Sequence, residues 1–430
     1  MPRPPLRAFA TLVAFSLLAL AGCSRGPLRV TIIGIDGATW DVIDPLLERG
    51  ELPNLQRVLG AGVRAPLRSE HPLVSPAIWT TVATGVSRRE HGLKRFGLRA
   101  GELVSARQRR APALWTLASR RGLRSAVIGW WGTYPAESIR GVVVSERALK
   151  LREEDLHDRF RQPLLPARLA QLTHPPEVLE LLAATLFQRP ERAAEQTDSD
   201  FVLERLRVED AASMQTLIQL RERTGDFDLE LLLLRGVDPV SHLFWRYHEP
   251  AAAAYAGLPP VDPDEQARYA DAVEDHYRFV DALLGDLPAR PERGRVIFLL
   301  SDHGFEAHSG DPNTGSPISG HHRSDAALHG IFAAAGGPVR RGGRLEGEVS
   351  IYDIAPTVLH LLGIEAAYTL GGAVREDILA LTWTARHPVR RRDRYPGPPS
   401  NLPPDAGRAG PASQLDERLQ EELRALGYIE

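Results

Sequence analysis

Three short apolar runs in this chain each lead into an acidic residue: Ile32-Ile33-Gly34-Ile35-Asp36, Leu233-Leu234-Arg235-Gly236-Val237-Asp238 and Leu299-Leu300-Ser301-Asp302-His303. Runs of this length and character read as strands buried on both faces. In open α/β sheets ligands gather beyond the carboxyl ends of such strands. Three carboxylates delivered to one edge repel one another unless a cation compensates them. A single aspartate there would read as a cap or turn residue. Histidines at ligand spacing point instead to metal: His242 follows Asp238 by four residues, His303 adjoins Asp302, and Ser319-Gly320-His321-His322 offers a further imidazole from either histidine. The chain has one cysteine and 14 histidines, so a metal site must be built from His, Asp and Glu. Carboxylate oxygen with imidazole nitrogen suits zinc, with manganese or iron less favoured. His248, His308 and His329 lie nearby in sequence, and each alone reads as a surface or supporting residue.

Such a site needs a nucleophile, and Ser75 is the candidate. It stands in His71-Pro72-Leu73-Val74-Ser75-Pro76-Ala77-Ile78-Trp79-Thr80-Thr81, followed by Thr84-Gly85 and His91-Gly92. The pattern predicts a helix that starts at or near Ser75, where backbone N–H groups favour an anion. Serine followed by proline is also an ordinary way to begin a helix. The two roles are compatible, because a hydroxyl at a helix N-terminus can be a nucleophile facing an anion site.

The elements that must position these groups follow from patterning. The clearest strands are Val30–Ile35, Ser125–Gly129, Leu229–Leu234, Val296–Leu300 and Ile331–Ala335, alternating with helical patterns at Ala113–Arg121, Gln266–Leu284 and Ile354–Leu362. This alternation predicts an α/β fold with a mainly parallel central sheet and helices on both faces. Residues 150–225 lack convincing strands and read as a helical insertion capping the site. Residues 386–413, with Arg390-Arg391-Arg392 and five prolines from Pro396 to Pro404, read as a linker. Leu415–Leu426 forms an amphipathic helical pattern closed by Gly427, which predicts a terminal helix within 414–430 that docks on the body or on a partner. A composition of 43% hydrophobic and 25% charged residues excludes wholesale disorder, and a net charge of −3 leaves no electrostatic footprint for nucleic acid.

Residues 1–22 read as a secretory signal, with Arg3 and Arg7 ahead of the apolar stretch Ala8 to Leu20. That stretch is shorter than the roughly 20 residues a spanning helix needs. It ends in Leu20-Ala21-Gly22-Cys23, which resembles a bacterial lipobox and makes Cys23 the expected lipidation site. Ser24 favours the outer membrane, so the expected location is its periplasmic face, with a catalytic domain over 23–385.

Taken in order, Asp36, Ser75-Pro76-Ala77-Ile78-Trp79-Thr80-Thr81, Asp238 with His242, and Ser301-Asp302-His303-Gly304-Phe305 resemble the alkaline phosphatase superfamily. The nearest branch is the type I phosphodiesterase/nucleotide pyrophosphatase family, and the resemblance runs from about Val30 to Ile364. It implies an alkaline-phosphatase-like core and two zinc ions flanking a Thr or Ser nucleophile. By motif, one ion takes Asp36, Ser75, Asp302 and His303. The other takes Asp238, His242 and His322, with His321 as the alternative to His322. The implied activity is hydrolysis of phosphoric esters, chiefly diesters or pyrophosphates, through a phosphoseryl intermediate. Two positions depart from the pattern. Nucleotide-cleaving relatives carry an asparagine three residues after the nucleophile, where this chain has Ile78, and no arginine closely follows Ser75 as in phosphomonoesterases. A sulfatase would need Cys/Ser-x-Pro-x-Arg, which Ser75-Pro76-Ala77-Ile78-Trp79 does not match. The same residues would also suit transfer of the phospho-group to another acceptor, and a lipid-anchored protein that binds without catalysis is the reading outside enzymes.

Overall fold

The computed structural model describes residues 28–97, 103–151, 169–186, 196–287, 294–309, 318–402, 414–426 and 428. The signal and lipobox expectations at residues 1–27 lie outside them. A ten-stranded sheet forms the centre. Its main strands are β1 (Arg29–Ile35), β2 (Gly62–Arg68), β3 (Ser125–Ile128), β4 (Gly141–Val144), β5 (Thr173–His174), β6 (Leu229–Leu234), β7 (Arg295–Leu300) and β8 (His329–Gly336). They lie in the order β2-β8-β7-β1-β6-β3-β4-β5, with Gly343–Arg344 and Val349–Ser350 adding short strands beside β2. The run from β7 through β1, β6 and β3 to β4 is parallel. β8 runs against β7 and β2, and β5 against β4.

The strands that carry the three aspartates are therefore neighbours at the middle of the sheet. Side chains alternate between its faces, as the pleat requires. Ile33, Ile35, Leu232, Leu234 and Leu299 join one apolar core, while Val30, Ile32, Leu231, Leu233, Phe298 and Leu300 join the other. The first core packs on helices α1 (Trp40–Glu48), α4 (Asp198–Thr224), α5 (Val237–His248) and α6 (Ala272–Leu284). The second takes α2 (Ser75–Thr84), α3 (Leu114–Arg120), α7 (Ile351–Leu361) and two leucines of the terminal helix α8 (Gln414–Ala425). Helices on both faces explain why the strands lack polar faces.

The five expected strands are present within two residues at their ends. β2 and β4 are additions, and the pattern expected as one helix over Gln266–Leu284 is two, Pro263–Tyr269 and α6. In the insertion the described residues include β5, helix Val178–Leu186 and α4, so it contributes an edge strand as well as helices. Residues 386–402, expected as linker, instead lie against the body. Arg391–Arg392 pair with Ala366–Ala367, Arg120 donates to the carbonyls of Pro396 and Pro398, and the Asn401 amide donates to the buried Glu137 carboxylate at 2.9 Å. Hydrogen bonds substitute here for the apolar burial that such a composition lacks. Residues 403–413 lie outside the described residues. Among the described residues no helix is long and apolar enough to cross a membrane.

Candidate metal and phosphoester site

Asp36 follows β1 directly, Asp302 stands two residues beyond β7, and Asp238 opens α5 after the β6 turn. Each turn has a device that aims its carboxylate. Gly37, at φ +74°, takes a left-handed turn that side chains disfavour and directs its N–H to Asp302 Oδ1 at 3.3 Å. After β6, Asp210 on α4 accepts from the backbone N–H of Arg235 (2.8 Å) and of Gly236 (3.1 Å) and meets His276 Nε2 at 3.2 Å. A Cβ on Gly236 would fall 2.2 Å from His276 Nε2, so this close approach requires glycine. Ser75 comes from the other side, as the first residue of α2, whose ten residues are all buried.

The groups converge. Ser75 Oγ–H donates to Asp36 Oδ1 at 3.2 Å. His303 Nε2 lies 3.5 Å from Asp36 Oδ1, 3.6 Å from Asp302 Oδ2 and 3.8 Å from Asp238 Oδ1. His242 Nε2 and His322 Nε2 lie 3.5 Å and 3.7 Å from Asp238 Oδ1. Candidate donor atoms of Asp36, Asp302 and His303 all fall within 4.8 Å of one another, and so do those of Asp238, His303 and His322. His303 thus stands between the two groups. Of the paired histidines, His322 turns to Asp238, whereas the His321 ring lies 5.2 Å from that of His308.

This donor set fits a cation. Asp302 Oδ2 and His303 Nε2 are buried and have no hydrogen-bond partner among the described residues. Buried polar atoms are normally paired, and these two orphans face each other inside a group of ligand-type atoms, an arrangement that a cation would complete. His242 and His303 each direct Nδ1 to a backbone carbonyl, Gly320 at 2.8 Å and Gly304 at 3.0 Å, which turns both Nε2 atoms toward the centre; there His303 Nε2 has no partner among the described residues and His242 Nε2 meets the Tyr428 hydroxyl at 2.6 Å. Electrostatics agrees. Burial, then the Asp302 and Asp238 carboxylates, hold Asp36 well above the usual carboxylate range, and burial pushes Asp302 up to about 7. Burial would also raise Asp238, but the adjoining His242 and His303 hold it low. Burial, then the neighbouring imidazoles, keep His322 well below its ordinary value, so it faces the site as a neutral donor.

A cavity of about 360 Å³ opens beside Ser75, Asp36 and Asp238, with Trp131, α4 and the C-terminal segment among its walls. Several of its residues carry no motif. Trp131 donates from Nε1 to Asp36 Oδ2 at 3.4 Å, and the Arg235 guanidinium lies 5.2 Å from the Trp131 ring centroid. Tyr428 reaches the Asp238 carboxylate from the far end of the chain. Only its place just beyond the amphipathic helix marks it in sequence. Ile78, in the position of the relatives' asparagine, is buried in the core and offers no polar atom.

The model of the type I phosphodiesterase / nucleotide pyrophosphatase family matches residues 30–340, which span β1 to the Val339 turn and include every group just described except Tyr428. The chain belongs to this family. Shorter likenesses also occur within this phosphodiesterase-family chain. A stretch of 98 residues is 38% identical to the 2,3-bisphosphoglycerate-independent phosphoglycerate mutase of Chloroflexus aurantiacus, covering 22% of this chain and 17% of that one. The corresponding enzyme of Herpetosiphon aurantiacus is 33% identical over 94 residues, with the same coverage. The chain thus matches only about a sixth of the length of these curated relatives. Among solved structures, the murine ectonucleotide pyrophosphatase / phosphodiesterase 5 is similar at 13% identity and a TM-score of 0.49, over 82% of this chain and 100% of that one. A sulfatase from Pseudoalteromonas sp. is similar at 16% identity and a TM-score of 0.47, over 88% and 77%.

Proposed function

We propose that the chain hydrolyses phosphoric esters, chiefly diesters and pyrophosphates, at a site that takes two zinc ions. The carrying observation is the Ser75 hydroxyl, bonded to Asp36 at the start of a buried helix, beside the orphaned Asp302 and His303 atoms. One ion would be held by Asp36, Ser75, Asp302 and His303, and the other by Asp238, His242 and His322. Paired metals of this kind lower the pKa of a nucleophile and balance charge on the transferring group. Ser75 Oγ attacks phosphorus and the ester alcohol leaves. Water then cleaves the phosphoseryl bond and restores the hydroxyl. Asp36 Oδ1 is the atom placed to hold the Ser75 proton, and the N-terminus of α2 faces the anion. Ile78 cannot hold a phosphoryl oxygen, so the reading extends to phosphoesters as a class and not to nucleotides in particular. Replacing Ser75 with Ala should lower turnover of bis(p-nitrophenyl) phosphate on the order of 10³-fold or more. Undiminished turnover by folded, metal-loaded variant would sink the assignment.

The local identity to phosphoglycerate mutases favours a second reading, release of the phosphoseryl group to an alcohol. Appearance of a phosphorylated acceptor when glycerol is added, at the expense of free phosphate, would support it. We further infer that Cys23 is lipidated and holds the body at the periplasmic face of an outer membrane. A Cys23→Ser chain should then appear active in the soluble fraction, and persistence of that variant in carbonate-washed membranes would contradict the anchor.

A further inference from the structure

The second ligand group is already in contact with the chain's own C-terminus. Tyr428 Oη lies 2.6 Å from His242 Nε2, 2.8 Å from His322 Nε2 and 2.9 Å from both Oδ1 and Oδ2 of Asp238. Its ring packs on Phe96 with centroids 4.5 Å apart and stands 5.2 Å from the His242 ring. His242 directs Nδ1 to the Gly320 carbonyl and so turns Nε2 to the hydroxyl. The phenol oxygen thus stands where the ligand atoms of three residues converge, and it has a single proton to offer them.

The helix that delivers it is secured in a way that permits release. Leu419 and Leu423 are its two described buried apolar contacts. Ionic contacts do much of the rest: Asp416 with Arg147 at 2.6 Å, and Glu422 with Lys150 at 2.6 Å and with Arg205. The cavity beside Ser75 has Leu419, Leu423, Leu426 and Tyr428 on this side, so the segment stands between the nucleophile and part of the solvent. We propose that residues 414–426 together with Tyr428 form a tethered occupant of the site, which a phosphoester must displace before it reaches Ser75. The proposal rests on the phosphoester reading given above.

An occupant in cis reduces the apparent affinity of every ligand of the site by one common factor, the inverse of the open fraction. Orthovanadate serves as the probe, with zinc-loaded full-length protein. Relative to the metal-free chain, zinc with saturating vanadate should raise amide hydrogen exchange across residues 414–426, and unchanged exchange in a vanadate-bound chain would overturn the proposal. Tyr428→Phe and Leu419→Asp/Leu423→Asp chains should bind vanadate at least about threefold more tightly and lower the KM for bis(p-nitrophenyl) phosphate by the same factor. A fall in kcat with unchanged vanadate affinity would make the segment a supporting wall and overturn it. Failure of the wild-type chain to bind vanadate at all would count against the phosphoester reading itself, and the tethered-occupant proposal would fall with it.

Discussion

The central strands carry buried acids at both ends, and the two ends are finished differently. At the amino end, Glu230 of β6 is fully buried yet compensated: Thr31 donates to it at 2.5 Å, and Arg295 and Arg221 each meet its carboxylate at 2.6 Å. About 16 Å further along the same strands, five residues at roughly 3.3 Å each, Asp36, Asp302 and Asp238 converge with no arginine or lysine paired to any of them among the described residues. Both clusters sit in the same sheet and the same burial. One is a closed structural ion network, while the other leaves charge and orphaned donors facing a common point. A buried carboxylate is thus informative about function only when its compensation is missing.

Metal removal should separate the ends most sharply. Dialysis against chelator should lower diesterase activity on the order of 10³-fold or more, and zinc should restore it. About two zinc equivalents per chain by elemental analysis is the stoichiometry expected, and a chelator-treated chain with full activity would erase the contrast. Next in size, Glu230→Ala leaves Arg295 and Arg221 facing each other inside the sheet. Unfolding free energy should fall by about 3–5 kcal/mol with zinc content unchanged. A loss of zinc together with normal stability would reverse the roles assigned to the two ends.

Asp302→Asn probes the open end. The folded-state value of about 7 lies above the unbound carboxylate's, so stability from the protonated form is complete below about pH 4 and lost as pH rises through 7. Metal-free Asp302→Asn should therefore be more stable than the native chain at pH 8, by on the order of 1–3 kcal/mol. At pH 4 and below the two should nearly coincide, and the variant should bind less zinc. Equal stabilities at both pH values would show that the carboxylates do not strain the metal-free site. Smallest is Asp210→Asn, which weakens the acceptor for the Arg235 and Gly236 amides. A cost of about 1–2 kcal/mol and weaker zinc binding at the Asp238 group are expected, read by unfolding and by competition with a chromogenic chelator.

The open end was also the legible one. Asp36, Asp238 and Asp302 are visible in sequence because apolar strands run directly into them, and Ser75 because Ser-Pro opens a helix. The compensated end is not, since Glu230 interrupts its strand without any motif and finds Arg295 and Arg221 only through folding. β2 is obscured by Pro66 and two arginines, although Val63, Ala65 and Leu67 alternate correctly into the core. The segment to residue 402 has linker composition, but its order comes from backbone hydrogen bonds, which carry no compositional signal. Tyr428 joins the site across 190 residues from Asp238, a separation that no local pattern can anticipate.

The direction of β1 has a bearing on where substrate comes from. This strand begins at Arg29, six residues past Cys23, and delivers Asp36 at its opposite end. Its seven residues advance about 23 Å. A body tethered at Cys23 would therefore rest on its amino-terminal edge and hold its catalytic mouth outward, away from the acyl chains. Such an orientation suits esters diffusing through the surrounding compartment better than head groups in the supporting leaflet. Vesicle-embedded phosphodiesters should accordingly be cleaved no faster by the tethered protein than by its Cys23→Ser counterpart.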